Sequence, residues 1–170
     1  MTSKKISFSA TLIILFFSWP ALIALAISRQ GESQFIKEER AWREKRDQQM
    51  RAPTSWLTIA GLYWLEEGEN SFGTSIDNKI KLPPDSVPAQ AGKFIVNNSK
   101  VTVVAAKGVD LKVNHKKIKK AELQADDSGK PDIVELNDLR LWVIKRGKRL
   151  AIRLRNFNNP SYKKYPGSHY

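Results

Sequence analysis

Residues that could carry acid–base or metal chemistry are few in this chain, and they are scattered. Its two histidines, His115 and His169, lie far apart in the sequence and have no carboxylate at ligand spacing. Glu66, Glu67 and Glu69 form the densest acidic group, but consecutive side chains point in different directions. A metal site needs three or four converging ligands, and acid–base catalysis needs groups positioned on one substrate. We therefore predict no catalytic residues, no metal site and no cofactor.

Two other classes of chemistry are excluded by residue type. The chain contains no cysteine, which rules out a thiol nucleophile, a thiolate zinc site and a disulfide framework. No serine lies in a Gly-x-Ser-x-Gly elbow, and there is no glycine-rich phosphate loop. Whether the chain is an enzyme stays open, and we lean towards a protein that is not one.

Two polar or aromatic residues remain as weak candidates for ligand binding. Asn70 lies between Gly68 and Gly73, where an amide could read a ligand, although asparagine in a turn is the more ordinary interpretation. Trp64 belongs to the apolar run 56–65, which could offer a stacking surface, although at this density core packing is favoured.

Basic residues provide the strongest signal of a surface function. The formal net charge is +12, with 29 lysines and arginines against 17 acidic residues. Such a surplus attracts anionic partners through a long-range field without specifying which partner. From this set we take four arginines as ligand-binding candidates: Arg146, Arg149, Arg153 and Arg155. The other members of the cluster are Lys116, Lys117, Lys119, Lys120, Arg140, Lys145 and Lys148. A solvated basic face without a ligand is the alternative.

The elements that position these residues are predicted to be mainly β. Alternating apolar and polar residues recur from about residue 93, separated by turn sequences such as 97–99, 114–115 and 137–138. The clearest hairpin turns at Gly147 and leads into 149–155, where leucine and isoleucine face one way and the arginines the other. We predict an antiparallel sandwich or a partly open barrel of hairpins, accompanied by one amphipathic surface helix at 33–50.

The N-terminal segment predicts export from the cytoplasm. Lys4 and Lys5 precede an uncharged apolar stretch, residues 6–27, which contains the small-residue pattern Ala24-Leu25-Ala26. Residues 1–26 are therefore interpreted as a signal peptide, with an uncleaved membrane anchor as the alternative. The remaining segments are the helix at 33–50, a β domain at 54–155 and an irregular tail at 156–170. The protein is expected in the periplasm, outside the cell, or anchored with its domain outside the cytoplasm.

One block of sequence resembles a known family. Trp56-Leu57, Gly61-Leu62-x-Trp64-Leu65, Gly68-x-Asn70 and Gly73 resemble the hallmark of the domain of unknown function 1684 family, as does the arginine–glycine turn at 146–147. The resemblance extends over about residues 40–167. Two departures are Asn156, where the family usually has an aspartate, and the end of the chain soon after Gly167, where members continue. The resemblance implies that this chain corresponds to the N-terminal half of a member of that family, and it does not indicate an activity.

Three functional classes follow from these observations. The first is a non-catalytic cell-envelope domain whose basic face binds an anionic envelope component, such as anionic lipid or acidic polysaccharide. It would contact the membrane through residues 6–27, with nucleic acid disfavoured and no protein partner predicted. The second is the N-terminal half of a hydrolase-like enzyme, and the third is a non-functional truncated fragment.

Overall fold

The computed structural model describes residues 34–167, which fall into two compact units divided between Gln48 and Gln49. Residues 34–51 form one helix, α1, in which Glu39 and Arg43 make an ion pair one turn apart. The charged helix predicted at 33–50 is thus present. The leader predicted at residues 1–26 lies outside the described residues. No helix within 34–167 is both long enough and apolar enough to cross a membrane.

Eleven strands make up most of the second unit as far as residue 167. Two 3₁₀ turns, Trp56–Thr58 and Asp126–Ser128, and one short helix, α2 (Pro160–Lys163), complete it. The strands are β1 (Ile59–Trp64), β2 (Gly68–Gly73), β3 (Ile80–Lys81), β4 (Gly92–Asn97), β5 (Lys100–Ala105), β6 (Lys112–Val113), β7 (Lys116–Lys117), β8 (Lys120–Leu123), β9 (Val134–Leu136), β10 (Leu139–Arg146) and β11 (Arg149–Asn156).

These strands form two sheets rather than a closed barrel. The six-stranded sheet has the order β1-β11-β10-β9-β6-β7, and the five-stranded sheet has the order β3-β2-β4-β5-β8. Pairing is antiparallel throughout the described strands except between β2 and β3. The prediction of a mainly β sandwich is confirmed, and its partly open barrel alternative does not form.

The predicted turns lie where the hairpins change direction. Asn98 and Ser99 have φ angles of 50° and 63°, and Asn114 and His115 have 48° and 68°. Two consecutive positive φ values are the pattern of the type I′ turn, whose twist matches that of the flanking strands. Gly147, with φ of 62°, links β10 to β11 in a two-residue loop. Turn chemistry therefore sets the register of these hairpins.

The core lies between the two sheets and is formed by the inward residues of each strand. Phe72 of β2 and Phe94 of β4 are fully buried, with ring centroids 4.9 Å apart. From the six-stranded sheet, Leu141, Ile152 and Leu154 are equally buried. Because side chains alternate along a strand, their neighbours on β10 and β11 must occupy the outer face.

The apolar run 56–65 was interpreted as core, and this interpretation is wrong for much of it. Leu57 and Thr58 are buried, but the side chains of Trp56, Ile59, Leu62 and Trp64 are exposed. The physical reason is that β1 is the edge strand of the six-stranded sheet, so that its outward residues have a neighbouring strand on one side only. Local apolar density could not reveal this position.

Candidate binding site on the six-stranded sheet

Strand β11 displays three arginines on the outer face of the six-stranded sheet. Leu150, Ile152 and Leu154 are buried in the core, so the odd-numbered residues of the strand lie on the opposite face, where Ala151 is itself buried. Arg149 is exposed, and Arg153 and Arg155 are half-buried. Three of the four predicted arginine candidates therefore share one strand and one face, as their alternation predicted.

Tryptophans from both neighbouring strands flank these arginines. The guanidinium carbon of Arg149 lies 3.7 Å from the ring centroid of Trp64, and that of Arg155 lies 5.3 Å from the centroid of Trp142. Both distances are within the range of a cation–π contact. We call Arg149, Arg153 and Arg155, together with Trp64 and Trp142, the arginine face.

Arg153 lies at the centre of the arginine face. In the sheet register it is opposite Leu62 of β1 on one side and opposite Trp142 of β10 on the other. Apolar neighbours displace water from a guanidinium group and so strengthen its attraction for an anion. Trp142 was not among the predicted candidates. The alternation Leu141-Trp142-Val143 places it on the same face as the arginines and could have identified it.

The arginines of β11 differ from other arginines nearby because no carboxylate makes a direct ion pair with them; the charge of Asp126 acts on Arg153 from a longer distance. Arg140 lies 3.5 Å from Glu135, and Arg146 lies 2.8 Å from Asp126. Within residues 34–167, no carboxylate lies within ion-pair distance of Arg149, Arg153 or Arg155. Arg146, the fourth predicted candidate, is thus already paired with a carboxylate of this chain, whereas the three arginines of β11 make no direct ion pair.

The environment of Arg155 shows the cost of placing these charges together. Burial lowers the pKa of Arg155, and the like charge of Arg153 lowers it further. Its Nη1 donates to the carbonyl of Pro53 at 3.2 Å, while its buried Nε has no hydrogen-bond partner. An anion bound at the arginine face would relieve this repulsion, since an opposite charge stabilises both guanidinium groups.

Asn70, a predicted ligand-binding candidate, lies in β2, and its side chain bonds the turn between β1 and β2. Its side chain is only 1% exposed. Its Oδ1 accepts from the main-chain N–H of Glu66 at 3.0 Å, and its Nδ2 donates to the carbonyls of Glu66 and Gly68 at 2.8 and 3.1 Å. Because these bonds occupy the amide at both ends, Asn70 is not part of the arginine face.

The lysine-rich part of the predicted basic cluster is separated from the arginines. Lys116 and Lys117 belong to β7, at the opposite edge of the six-stranded sheet from β1, and Lys120 begins β8 of the other sheet. Lys117 is paired with Asp110 at 2.9 Å. The single basic face assumed from the sequence is therefore divided into separate surfaces.

Histidine and acidic residues do not converge on a further site in the described part of the chain. The main-chain N–H of His115 donates to the carboxylate of Glu135, and the Nδ1 atom of His115 lies 2.9 Å from the same carboxylate. Glu135 is also paired with Arg140. No group of three or more potential metal ligands occurs among residues 34–167. His169 lies outside the described residues.

Comparison with known proteins gives similarity only at the level of solved structures. No family model matches the sequence, and no curated protein matches it. The chain is similar to an FHA domain from a study of phosphothreonine-dependent FHA domain interactions, with 16% identity, a TM-score of 0.40, and coverage of 55% of this chain and 92% of that one. For the FHA-2 domain of a Mycobacterium tuberculosis ABC transporter, the identity is 19%, the TM-score 0.40 and the coverage 52% and 77%.

A third similar structure is EmbR of Mycobacterium tuberculosis in complex with a low-affinity phosphopeptide. Here the identity is 14%, the TM-score is 0.39, and the match covers 72% of this chain and 31% of that one. Membership of the domain of unknown function 1684 family is not tested by these matches and stays a prediction. The location of the protein outside the cytoplasm also stays a prediction.

These matches correct what we predicted about function and partners. Among the similar structures, one FHA domain is complexed with the intracellular domain of another protein, one comes from a study of phosphothreonine-dependent interactions, and EmbR is complexed with a phosphopeptide. The prediction of a cell-envelope domain that binds an anionic envelope component is wrong by this comparison, and so are the predictions of a lipid or polysaccharide ligand and of no protein partner. The physical reason for the error is that the lysines and arginines do not form one broad basic face.

The predictions that concern the membrane are corrected together with those on function and partners. A signal peptide, a transmembrane helix and membrane contact through residues 6–27 find no support in these matches, which are to FHA domains. Those residues lie outside the described part, so the interpretation depended on the sequence pattern alone.

Proposed function

We propose that this domain is a protein-recognition module that binds a phosphorylated segment of a partner protein on the arginine face. One observation carries the proposal: Arg149, Arg153 and Arg155 share one face of β11, and no carboxylate within residues 34–167 pairs with them. A phosphate monoester carries between one and two negative charges at neutral pH and offers three acceptor oxygens. Guanidinium groups bind such an anion through paired, charge-assisted hydrogen bonds.

Spacing on the strand supports a compact anion rather than a long polyanion. Arg153 and Arg155 are two residues apart on the same face, which is about 6.6 Å along a strand. Two guanidinium groups at this spacing can converge on one phosphate group. The apolar flanks, Leu62 and Trp142, favour a ligand that also presents a hydrophobic side chain.

The test is a titration of the full chain with phosphothreonine peptides and with the same peptides lacking the phosphate. We choose phosphothreonine because similar solved structures were studied with it. Isothermal calorimetry should show binding of the phosphorylated set, and fluorescence should change because tryptophans flank the arginines. Equal affinity for both sets would overturn the proposal.

The matched variants are Arg153→Gln and Lys148→Gln, which remove the same charge from the same hairpin. A hydrogen bond to a charged group contributes about 1.5–3 kcal/mol, so Arg153→Gln should weaken binding roughly 10- to 150-fold. Lys148 lies in the exposed turn between β10 and β11, and its loss should change affinity less than about threefold. Equal losses in the two variants would mean that net charge alone attracts the peptide.

A further inference from the structure

The outer edge of β1 has main-chain groups that pair with no other strand. β1 ends the six-stranded sheet and pairs only with β11. Just beyond it, the N–H of Leu65 donates to the carbonyl of Leu150 at 2.9 Å. Hydrogen-bonded and non-bonded pairs alternate along antiparallel strands, so Tyr63 is bonded to β11 and the N–H and C=O groups of Leu62 and Trp64 point outward.

Nothing in the described part of the chain occupies these outward groups. Within residues 34–167, the N–H of Leu62 and the N–H of Trp64 have no main-chain or side-chain acceptor. Leu62 is 45% exposed and Trp64 is 42% exposed. The bulge between Ile59 and Gly61 interrupts the edge at its beginning, which leaves Leu62–Trp64 as the open stretch.

Apart from this bulge, the edge lacks the charged residues and proline that commonly protect an edge strand. Proteins commonly place charged residues or proline on exposed edges, because free main-chain groups recruit other strands. The sequence of β1, Ile-Ala-Gly-Leu-Tyr-Trp, contains neither. The open stretch Leu62–Trp64, next to three arginines without a direct ion pair, is suited to an added strand that carries negative charge.

We infer that the phosphorylated segment binds in an extended conformation as an added strand along β1, with its main chain bonded to Leu62 and Trp64. This inference rests on the proposed function and specifies how the partner is held. Neighbouring strands lie about 4.8 Å apart, so an added strand is two spacings from β11, which the long arginine side chains can span. The phosphate then meets Arg153, and a hydrophobic side chain two positions away meets Trp64.

Charge argues for a partner of this chemistry rather than for a second copy of the chain. β1 contains no acidic residue, and β11 beside it carries three unpaired arginines. Pairing two copies through β1 would bring two sets of arginines together, and like charges repel. An extended phosphorylated segment has the opposite charge and the same capacity for main-chain pairing.

Amide hydrogen exchange on the full chain, followed by NMR, tests the inference directly. In the free protein the amides of Leu62 and Trp64 should exchange rapidly, while those of Gly61 and Tyr63 should be protected. A saturating phosphothreonine peptide should slow exchange at Leu62 and Trp64 at least tenfold and leave Gly61 and Tyr63 unchanged. Concentration-dependent protection without peptide would identify a second copy as the occupant and overturn the inference.

N-methylation of the peptide, one residue at a time, gives a test that needs no protein variant. Methyl groups on residues whose N–H faces β1 should weaken binding at least tenfold, and methyl groups on the intervening residues should weaken it less than about twofold. A flat profile, with binding still dependent on Arg153, would overturn the added strand and leave the proposed function intact. Absence of any phosphate-dependent binding would overturn the proposed function itself.

Discussion

Replacing Asn70 by alanine tests whether its amide serves the turn or a ligand. The substitution removes three hydrogen bonds, at 2.8, 3.0 and 3.1 Å, from a side chain that is 1% exposed. Each such bond contributes about 0.5–1.5 kcal/mol net. Because Glu66 is exposed and water can reach its main-chain groups after the change, we expect the lower half of the total, a loss of about 1.5–3 kcal/mol.

The assay is urea unfolding of the wild type and two variants, Asn70→Ala and Asn97→Ala. Asn97 ends β4, is exposed and has no side-chain hydrogen bond within the described residues, so its replacement should change the free energy of unfolding by less than about 0.5 kcal/mol. The phosphopeptide affinity of folded Asn70→Ala should equal that of the wild type. Wild-type stability combined with lost binding would refute the structural role.

Asn70→Asp adds a test of the direction of the hydrogen bonds. The change puts a carboxylate oxygen where an N–H now faces two carbonyls, at Glu66 and Gly68. Repulsion of the charged form raises the pKa of an aspartate in this position. The stability deficit relative to wild type should therefore be largest at neutral pH and should shrink as the pH falls through that raised pKa.

The remaining predictions concern packing and titration. A Cβ at Gly73 would lie 2.2 Å from the carbonyl oxygen of Ala89, so Gly73→Ala should lower the free energy of unfolding by about 1–3 kcal/mol in urea unfolding; wild-type stability would contradict this close approach. Desolvation raises the pKa of Asp126, but hydrogen bonds from the Lys145 N–H and from Arg146 outweigh it and lower the pKa below its ordinary value. The stabilisation from Asp126 is therefore complete above its unfolded pKa of about 3.9 and is lost as pH falls through the lower folded pKa, so Asp126→Asn should lose stability mainly at neutral pH and match the wild type more closely in acid.

The hairpins and the arginines of β11 could be predicted from the sequence because their signals are local. Alternation along 149–155 places leucine and isoleucine on one side and arginine on the other, and this follows from strand geometry alone. The turns at Asn98, Asn114 and Gly147 are likewise set by residues that tolerate positive φ. The charged helix has an ion pair one turn apart, between Glu39 and Arg43, and its described part ends at residue 51, one residue after the predicted end.

Pairing between distant strands could not be predicted in this way. β1 and β11 are far apart in sequence, yet they are neighbours in the sheet, and only this pairing places Leu62 and Trp64 beside the arginines. The same pairing makes β1 an edge strand, so an apolar run that predicted core is largely exposed. The split of the basic residues between two sheets is also a matter of strand order.

The amino-acid sequence by itself determined the β character of the chain, the positions of its turns and the side of β11 on which the arginines lie. Each of these properties depends on residues within a few positions of one another. Tertiary structure decided which arginines are neutralised, which tryptophans flank them and which strand has an open edge. These properties depend on contacts between segments that are distant in the sequence, and periodicity carries no information about such contacts.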